Sequence, residues 1–383
     1  MARALYIHWP FCAKKCPYCD FNSHVRQQVD VDAWRNALLA DMRVEAEMAG
    51  GEALNSIFFG GGTPSLMPPG LVTDLLQEAL HLWGFTPGIE ITLEANPSSV
   101  EADNFEDLAG AGVNRISLGV QSFDDETLQW LGRFHGAQEA LKAVETAQKQ
   151  FERVSFDLIY ALPGQSPAQW ETHLAQALTF GTSHLSLYQL TIEPGTRFAT
   201  DVRRGLWSPL DDDEAAELFT ITQELTDAAG LPAYETSNHA RPGSESQHNL
   251  TYWCYQDYAG IGPGAHGRRG SFATYRHRKP ENYLKAVSER GHGIAEQRLL
   301  PTNEQASEAL LMGLRLIEGI DLKTLEERFD IPESELVDSE KLAFYAGLGL
   351  VRRDGSHVTI TPNGRPLLDA LLPELVSDRL VAA

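Results

Sequence analysis

Leu5-Tyr6-Ile7-His8 is a short β-rich run, and Trp9-Pro10-Phe11-Cys12-Ala13-Lys14-Lys15-Cys16-Pro17-Tyr18-Cys19 follows it without a break. Three thiols therefore share one loop at the C-terminal end of a strand. Thiolates grouped in this way bind soft metal. One reading is zinc, with His8 or His24 completing a Cys₃His site. The other is a 4Fe-4S cluster. Three cysteines leave one of its four irons without a protein ligand, open to a small molecule that chelates through an amine and a carboxylate. Tyr18, between the second and third thiols, can pack against such a molecule.

Up to about residue 190 the chain alternates short β-rich runs with longer segments of helical periodicity, as a parallel sheet with crossover helices requires. Six strands are expected, at Leu5–His8, Ser56–Phe59, Ile89–Glu94, Arg115–Val120, Val154–Tyr160 and Leu185–Leu190. Asp30 can cap the first helix, on which Val31, Trp34, Leu38 and Met42 form one apolar face. Six βα units are fewer than a closed barrel's eight, so the expected fold is α/β, a partial (β/α)6 barrel or a doubly wound sheet, with a small, mainly helical C-terminal domain. Ligands belong at its strand C-termini.

The polar residues at those ends narrow the chemistry. Gly60-Gly61-Gly62-Thr63-Pro64 follows the second strand, and its missing side chains let backbone groups approach a ligand closely. Glu94, Gln121, Arg133 and Asp157 fall at or near the later strand ends. Carboxylates there can hold ribose hydroxyls or an ammonium, and an arginine can hold a carboxylate.

The cysteine spacing, with an aromatic residue before the third thiol, resembles the cluster loop of the radical S-adenosylmethionine superfamily. Tyr6 to Cys12, Gly60 to Pro64, Glu94-Ala95-Asn96-Pro97, Gly119-Val120-Gln121-Ser122-Phe123 and Asp157 to Gln165 look like the oxygen-independent coproporphyrinogen III oxidase family. The resemblance covers nearly the whole chain. It implies a 4Fe-4S cluster on Cys12, Cys16 and Cys19. It also implies S-adenosylmethionine contacts at Tyr6, Tyr18, Gly62, Thr63, Pro64, Glu94, Gln121, Arg133 and Asp157.

Two branches of that family differ in function. The oxidase carries a fourth cysteine two residues after the third, where this chain has Phe21, and an extension ahead of its cluster loop that this sequence lacks. Both departures resemble the heme chaperone branch, the HemW type. His248-Asn249-Leu250-Thr251-Tyr252-Trp253 is similar to a motif of that branch, pairing an imidazole able to ligate heme iron with aromatics able to stack on a porphyrin. His248, Tyr252 and Trp253 are thus candidate heme contacts, with His239, Cys254 and His266 as competing axial ligands. The resemblance implies uptake of one heme per chain, transfer to an acceptor apo-hemoprotein, and a homodimer. The alternative is the oxidase: the reduced cluster cleaves S-adenosylmethionine, and the 5′-deoxyadenosyl radical starts oxidative decarboxylation of coproporphyrinogen propionates.

Composition bounds the rest. The chain has 383 residues, 43% of them hydrophobic, and four cysteines, three of them in the cluster loop, unlike a scattered disulfide framework. No apolar run reaches the ~20 residues a spanning helix needs, and no signal-peptide core precedes Lys14 and Lys15. A cytoplasmic protein is expected, with room for peripheral membrane contact. A formal charge of −22 disfavours a nucleic-acid partner. Three parts are expected: the barrel at 1–230, an extension of short strands and loops at 231–300 covering one side of the sheet, and a small helical module at 301–383. The module's helices and Val358-Thr359-Ile360 could form a winged helix, but the acidity favours a packing or docking role.

Overall fold

The computed structural model describes residues 3–26, 28–50 and 52–381. All six expected strands are present, as Ala4–Trp9 (β1), Leu54–Gly61 (β2), Phe85–Ala95 (β3), Arg115–Gln121 (β4), Arg153–Tyr160 (β5) and His184–Gln189 (β6). They pair in sequence order and in parallel. Val31–Ala49 (α1), Pro69–Trp83 (α2), Phe105–Gly110 (α3), Ala137–Gln150 (α4) and Pro167–Thr179 (α5) lie on the connections between them. Asp30 caps α1 through its carboxylate, which accepts the Ala33 amide at 3.1 Å.

Side-chain alternation divides the sheet into two different faces. Leu5, Ile7, Ile57, Phe59, Leu93, Ile116, Leu118, Phe156, Leu158, Leu185 and Leu187 join the helices' apolar stripes, with Trp34, Leu38 and Met42 of α1, in one hydrophobic core. The alternate residues are Tyr6, His8, Ser56, Glu90, Glu94, Arg115, Asp157 and Ser186, so the inner face is polar. Such an arrangement requires every inner-face charge to find a partner or a ligand.

The stretch after residue 230 differs from expectation. After Asp212–Ala228 (α6), its short strands extend the sheet at both edges and do not cover one side. Asn238–Ala240 (β7) pairs antiparallel with β6, while Tyr258–Ile261 (β8) runs parallel to β1. His266–Arg269 (β9), Phe272–Arg276 (β10) and Ile294–Leu299 (β11) continue from β8 as an antiparallel meander. The full order is β11-β10-β9-β8-β1-β2-β3-β4-β5-β6-β7. An open parallel sheet leaves unpaired amides and carbonyls along β1 and β6, and these strands satisfy them. Gln247–Trp253 (α7) lies against β2 on the inner face.

A second hydrophobic cluster forms from Ala306 onward, through Leu310, Leu314, Leu325, Leu336, Leu342, Leu371 and Leu375, and Tyr255 packs into it. It includes Val351, Val358 and Ile360 from a small antiparallel sheet of three strands, Ile320–Asp321, Val351–Asp354 and His357–Ile360. Among the described residues no helix is long and apolar enough to cross a membrane.

One buried ionic knot ties the β8 to β11 meander to α1. The Asp41 carboxylate accepts from Arg276 Nε at 3.3 Å, the Tyr283 hydroxyl at 2.9 Å and the Gly293 amide at 3.0 Å. Arg276 also donates to Glu45, which pairs with Arg269 at 3.1 Å. Asp41, Glu45 and Arg276 are all buried. Removing one member of a buried pair leaves an uncompensated charge, a loss of about 3–5 kcal/mol. Asp41→Ala is therefore expected to destabilise the fold by that amount in urea unfolding, with Asp41→Asn, which keeps hydrogen bonds but not charge, in between. Equal midpoints for Asp41→Ala and the parent would show that the knot contributes nothing.

Candidate functional site

The cluster loop is seated by the end of β2. The Gly62 amide donates to the Trp9 carbonyl at 2.7 Å and the Thr63 amide to the Phe11 carbonyl at 2.8 Å. A Cβ on Gly62 would lie 2.5 Å from the Phe11 carbonyl oxygen, so only glycine permits this approach. Gly61 adopts φ +117°, and a side chain there would strike the His8 ring. Phe11–Cys12 pairs with His24–Val25, closing the loop on itself. Both ring nitrogens of His8 are engaged, one with the Tyr6 hydroxyl at 3.0 Å and one with the Asn22 carbonyl at 2.9 Å.

Cys12, Cys16 and Cys19 are half-buried thiols in this loop. Thr63 Oγ1 donates to Cys12 Sγ at 3.5 Å and Arg133 Nη1 to Cys16 Sγ at 3.6 Å. Burial pushes the Cys12 and Cys19 thiols up, with hydrogen bonds opposing it. Donors aimed at sulfur suit thiolates that a soft metal would hold.

Arg133 organises the mouth of the sheet. Its guanidinium donates to Asn96 Oδ1 at 2.6 Å, the Gly119 carbonyl at 2.8 Å and the Tyr18 hydroxyl at 3.4 Å. Asn96 is held in turn by Thr63 and Glu101, and Glu101 accepts the Ser65 hydroxyl beside Pro64. Gln121 has φ +70°, uncommon for a residue with a side chain, at a break in the β4–β5 register. Backbone strain of that kind persists where the surroundings impose it. A Cβ on Gly119 would come within 3.0 Å of the Gln121 amide nitrogen. Tyr18 and, through Asn96, Thr63 thus meet at Arg133, with the Gln121 side-chain amide beside the same Gly119 turn.

The two carboxylates of the mouth are poorly compensated. Burial, with Asp157 adding to it, pushes Glu94 up to about 8, against one amide donor, Gly61 N at 3.2 Å. Burial raises Asp157 to about 6, opposed by hydrogen bonds from Ser186 and Ser117 and by Arg115 and Arg133. Buried carboxylates that stay raised despite these partners fit a ligand bearing an ammonium or hydroxyl groups. With the Gly61 amide and the Arg133 guanidinium beside them, these groups fit S-adenosylmethionine next to three thiolates.

A cavity of about 380 Å³ opens next to this mouth, lined by Tyr6, His8, Phe21, Asn22, Gly61, Glu94, Tyr252, Tyr258, Gly264, His266 and Arg278. Its volume is that of a small-molecule site. The three heme candidates do not share one face. Tyr252 lines the cavity, but its hydroxyl meets His248 Nε2 at 2.8 Å, and the Ser56 hydroxyl meets His248 Nδ1 at 3.2 Å. His248 is 2% exposed, stacked on Phe58 at 5.0 Å, and burial lowers it to about 3. Trp253 points the other way, with the Arg315 guanidinium 5.5 Å from its ring. His239 is fully buried beside Gln223, Cys254 is exposed, and His266 is exposed on the cavity wall.

Several residues of the site escaped the sequence reading. Asn96 belongs to a quoted motif, yet nothing in its spacing marks it as the partner of Arg133. Glu90 anchors α7: its buried carboxylate accepts from the Ser246 hydroxyl and the Gln247 and His248 amides, and pairs with Arg153 at 2.8 Å. Asn22 and Arg278 come from segments far apart in sequence, and no local pattern joins them.

A carboxyl whose folded pKa is raised adds stability below its unfolded value and loses it as pH rises through the folded one. For Glu94 that window runs from the ordinary 4.5 to about 8, and Asp157 acts in the same direction to about 6. The ligand-free protein with Glu94→Gln should therefore melt above the parent by about 2 °C or more near pH 8.5, the difference vanishing near pH 5. Parallel melting curves across that range would contradict the assignment.

Comparison with known proteins identifies the family. The Radical SAM superfamily matches residues 6–177, and the HemN C-terminal domain matches residues 300–367. The mouse (Mus musculus) radical S-adenosyl methionine domain-containing protein 1, mitochondrial, is 38% identical over 97% of this chain and 87% of its own length. The heme chaperone HemW of Escherichia coli (strain K12) is 42% identical over 82% of this chain and 83% of its own. The solved structure of coproporphyrinogen III oxidase from Escherichia coli, titled a radical SAM enzyme, aligns with a TM-score of 0.82, covering 97% of this chain and 89% of that one. At 23% identity that likeness speaks for the fold alone. The chain belongs to the radical S-adenosylmethionine superfamily and, within it, to the HemW branch of the oxygen-independent coproporphyrinogen III oxidase-like proteins.

Proposed function

We propose that this protein is a heme chaperone: it binds heme beside a 4Fe-4S cluster and S-adenosylmethionine, and transfers it to an acceptor apo-hemoprotein. One observation carries the reading. Tyr6, Gly61 and Glu94 line one cavity together with Tyr252, Tyr258, His266 and Arg278. Residues suited to S-adenosylmethionine thus share a cavity with aromatic, imidazole and guanidinium side chains, the groups that hold a porphyrin.

In this reading Cys12, Cys16 and Cys19 hold the cluster. Tyr6 and Tyr18 pack on S-adenosylmethionine, Gly62, Thr63 and Pro64 meet its amino end, and Glu94, Gln121, Arg133 and Asp157 take its polar groups. When bound, the cluster supplies an electron-transfer centre with one iron open to a chelating ligand. Arg133 offsets thiolate charge at Cys16 while its other amines fix Asn96 and the Gly119 turn. Phe21, 60% exposed at the cavity, occupies the place of the oxidase's fourth cysteine, and relatives at 34–42% identity carry the name heme chaperone HemW. The proposal includes a cytoplasmic protein that can pair as a homodimer, divided as 1–230, 231–300 and 301–383, with the last part in a packing or docking role.

Anaerobic reconstitution with iron and sulfide tests the shared premise. The parent should turn brown, and Cys12→Ala, Cys16→Ala and Cys19→Ala should each lose the cluster's broad visible absorption. Titration with hemin should saturate at about one heme per chain. Incubation with coproporphyrinogen III and a reductant should yield no decarboxylated product. Robust decarboxylation would restore the oxidase instead, and failure to bind hemin would remove the chaperone reading.

A further inference from the structure

We infer that His266, not His248, is the side chain that ligates heme iron, and that Arg278 holds a heme propionate across the same cavity. The inference rests on the heme-binding reading and assigns its residues.

Imidazole ligates a metal through a nitrogen whose lone pair is free. Three histidines come into question at this cavity. His8 has both ring nitrogens committed, to Tyr6 and to Asn22. His248 sits behind the Tyr252 wall, with Ser56 on one nitrogen and the Tyr252 hydroxyl on the other. Exposing it would break both bonds and unstack it from Phe58 and Tyr6. His266 faces the cavity and forms no ring-nitrogen hydrogen bond among the described residues; its ring rests edge-on against Tyr275 at 4.6 Å. Burial and then Arg278 lower its pKa, which keeps the ring neutral and able to ligate.

Arg278 completes the pattern. Its guanidinium has no ion pair or hydrogen bond among the described residues, although the chain carries a large acidic excess, and it lies on the lip of the same cavity. An arginine left without a carboxylate at a cavity mouth suits a ligand that brings one. Tyr252 and Tyr258, packed edge to face at 4.5 Å, and Phe21 supply the apolar faces between the two polar groups.

The placement is built into the backbone. A Cβ on Gly262 (φ +93°) would lie 2.3 Å from the His8 carbonyl oxygen, and one on Gly264 (φ +81°) would lie 2.5 Å from the Asn22 amide. This turn leads directly into His266. Asn22 Nδ2 donates to the carbonyls of Pro263 and of Arg278, both at 2.9 Å. One amide three residues beyond Cys19 therefore positions both proposed heme contacts against the cluster loop. Since His266 and Arg278 are both exposed, the bound heme would keep an edge in solvent, as a protein that must release it requires.

The test is hemin titration of the full chain, followed by visible spectra, with circular dichroism to establish that each variant is folded. His266→Ala should change the Soret band and weaken binding about tenfold, while His248→Ala keeps the parent spectrum. Arg278→Gln should weaken hemin several-fold and leave hemin dimethyl ester, which lacks the propionate charges, unaffected. A parent-like spectrum and affinity for His266→Ala would overturn the axial assignment. So would a folded His248→Ala that alone loses the band. Equal loss of hemin and its dimethyl ester on Arg278→Gln would overturn the propionate contact. If the parent protein itself binds no hemin, the chaperone reading fails, a result distinct from the wrong histidine.

Discussion

Burying a charge is unfavourable unless a partner comes with it, and the inner face of this sheet carries a row of charges. Glu90 and Glu94 project from the same face of β3, with Arg115 on β4 and Arg153 and Asp157 on β5 beside them. Glu90 is fully matched. Burial pushes its pKa up, but Arg115, Arg153 and two backbone amides of α7 overcome this and hold it below the ordinary range. Two pleat repeats further on, Glu94 receives a single amide and faces Asp157. The same constraint therefore separates a floor, where charges are used up in holding α7, from a mouth where they are left over for a ligand.

Steric closeness fixes where that ligand can go. Gly60, Gly61 and Gly62 bring the end of β2 so near β1 and the start of the cluster loop that a methyl group would collide with Tyr6, His8 or the Phe11 carbonyl. Gly132 does the same on the opposite side, where a Cβ would reach Pro17 at 2.7 Å. The loop bearing the three thiols is thus clamped between two glycine-dependent contacts, while Arg133, the residue after Gly132, reaches Cys16, Tyr18 and Asn96. Positions without side chains here are as specific as those with them.

The segment from β8 onward supplies one wall of the cavity, through Tyr258, Gly264, His266 and Arg278. Its attachment to α1 runs through Asp41, Glu45 and Arg276, and its attachment to the cluster loop runs through Asn22. Both are hydrogen-bonded, directional contacts, so the wall that carries His266 and Arg278 is held in register with the loop that carries the thiols. The helix that bears His248 is held separately, by Glu90 and Ser246, with its histidine turned into the sheet.

Read alone, the sequence determined the strands β1 to β6, the cap at Asp30, the cysteine loop and the polar residues at the strand ends, because each is written in local periodicity or spacing. Those signals sufficed for the fold class and for most of the mouth. The tertiary structure decided three things that no spacing encodes. Short strands between 238 and 299 joined the sheet's edges, since unpaired backbone groups there outweighed weak local preference. Asn96, Glu90 and Asn22 acquired their roles only through partners far along the chain. In the sequence His248 stands out through its motif, and His266 is only one of its competitors. Burial and two hydrogen bonds distinguish them, and both are properties of where the sheet carries each ring rather than of the residue itself.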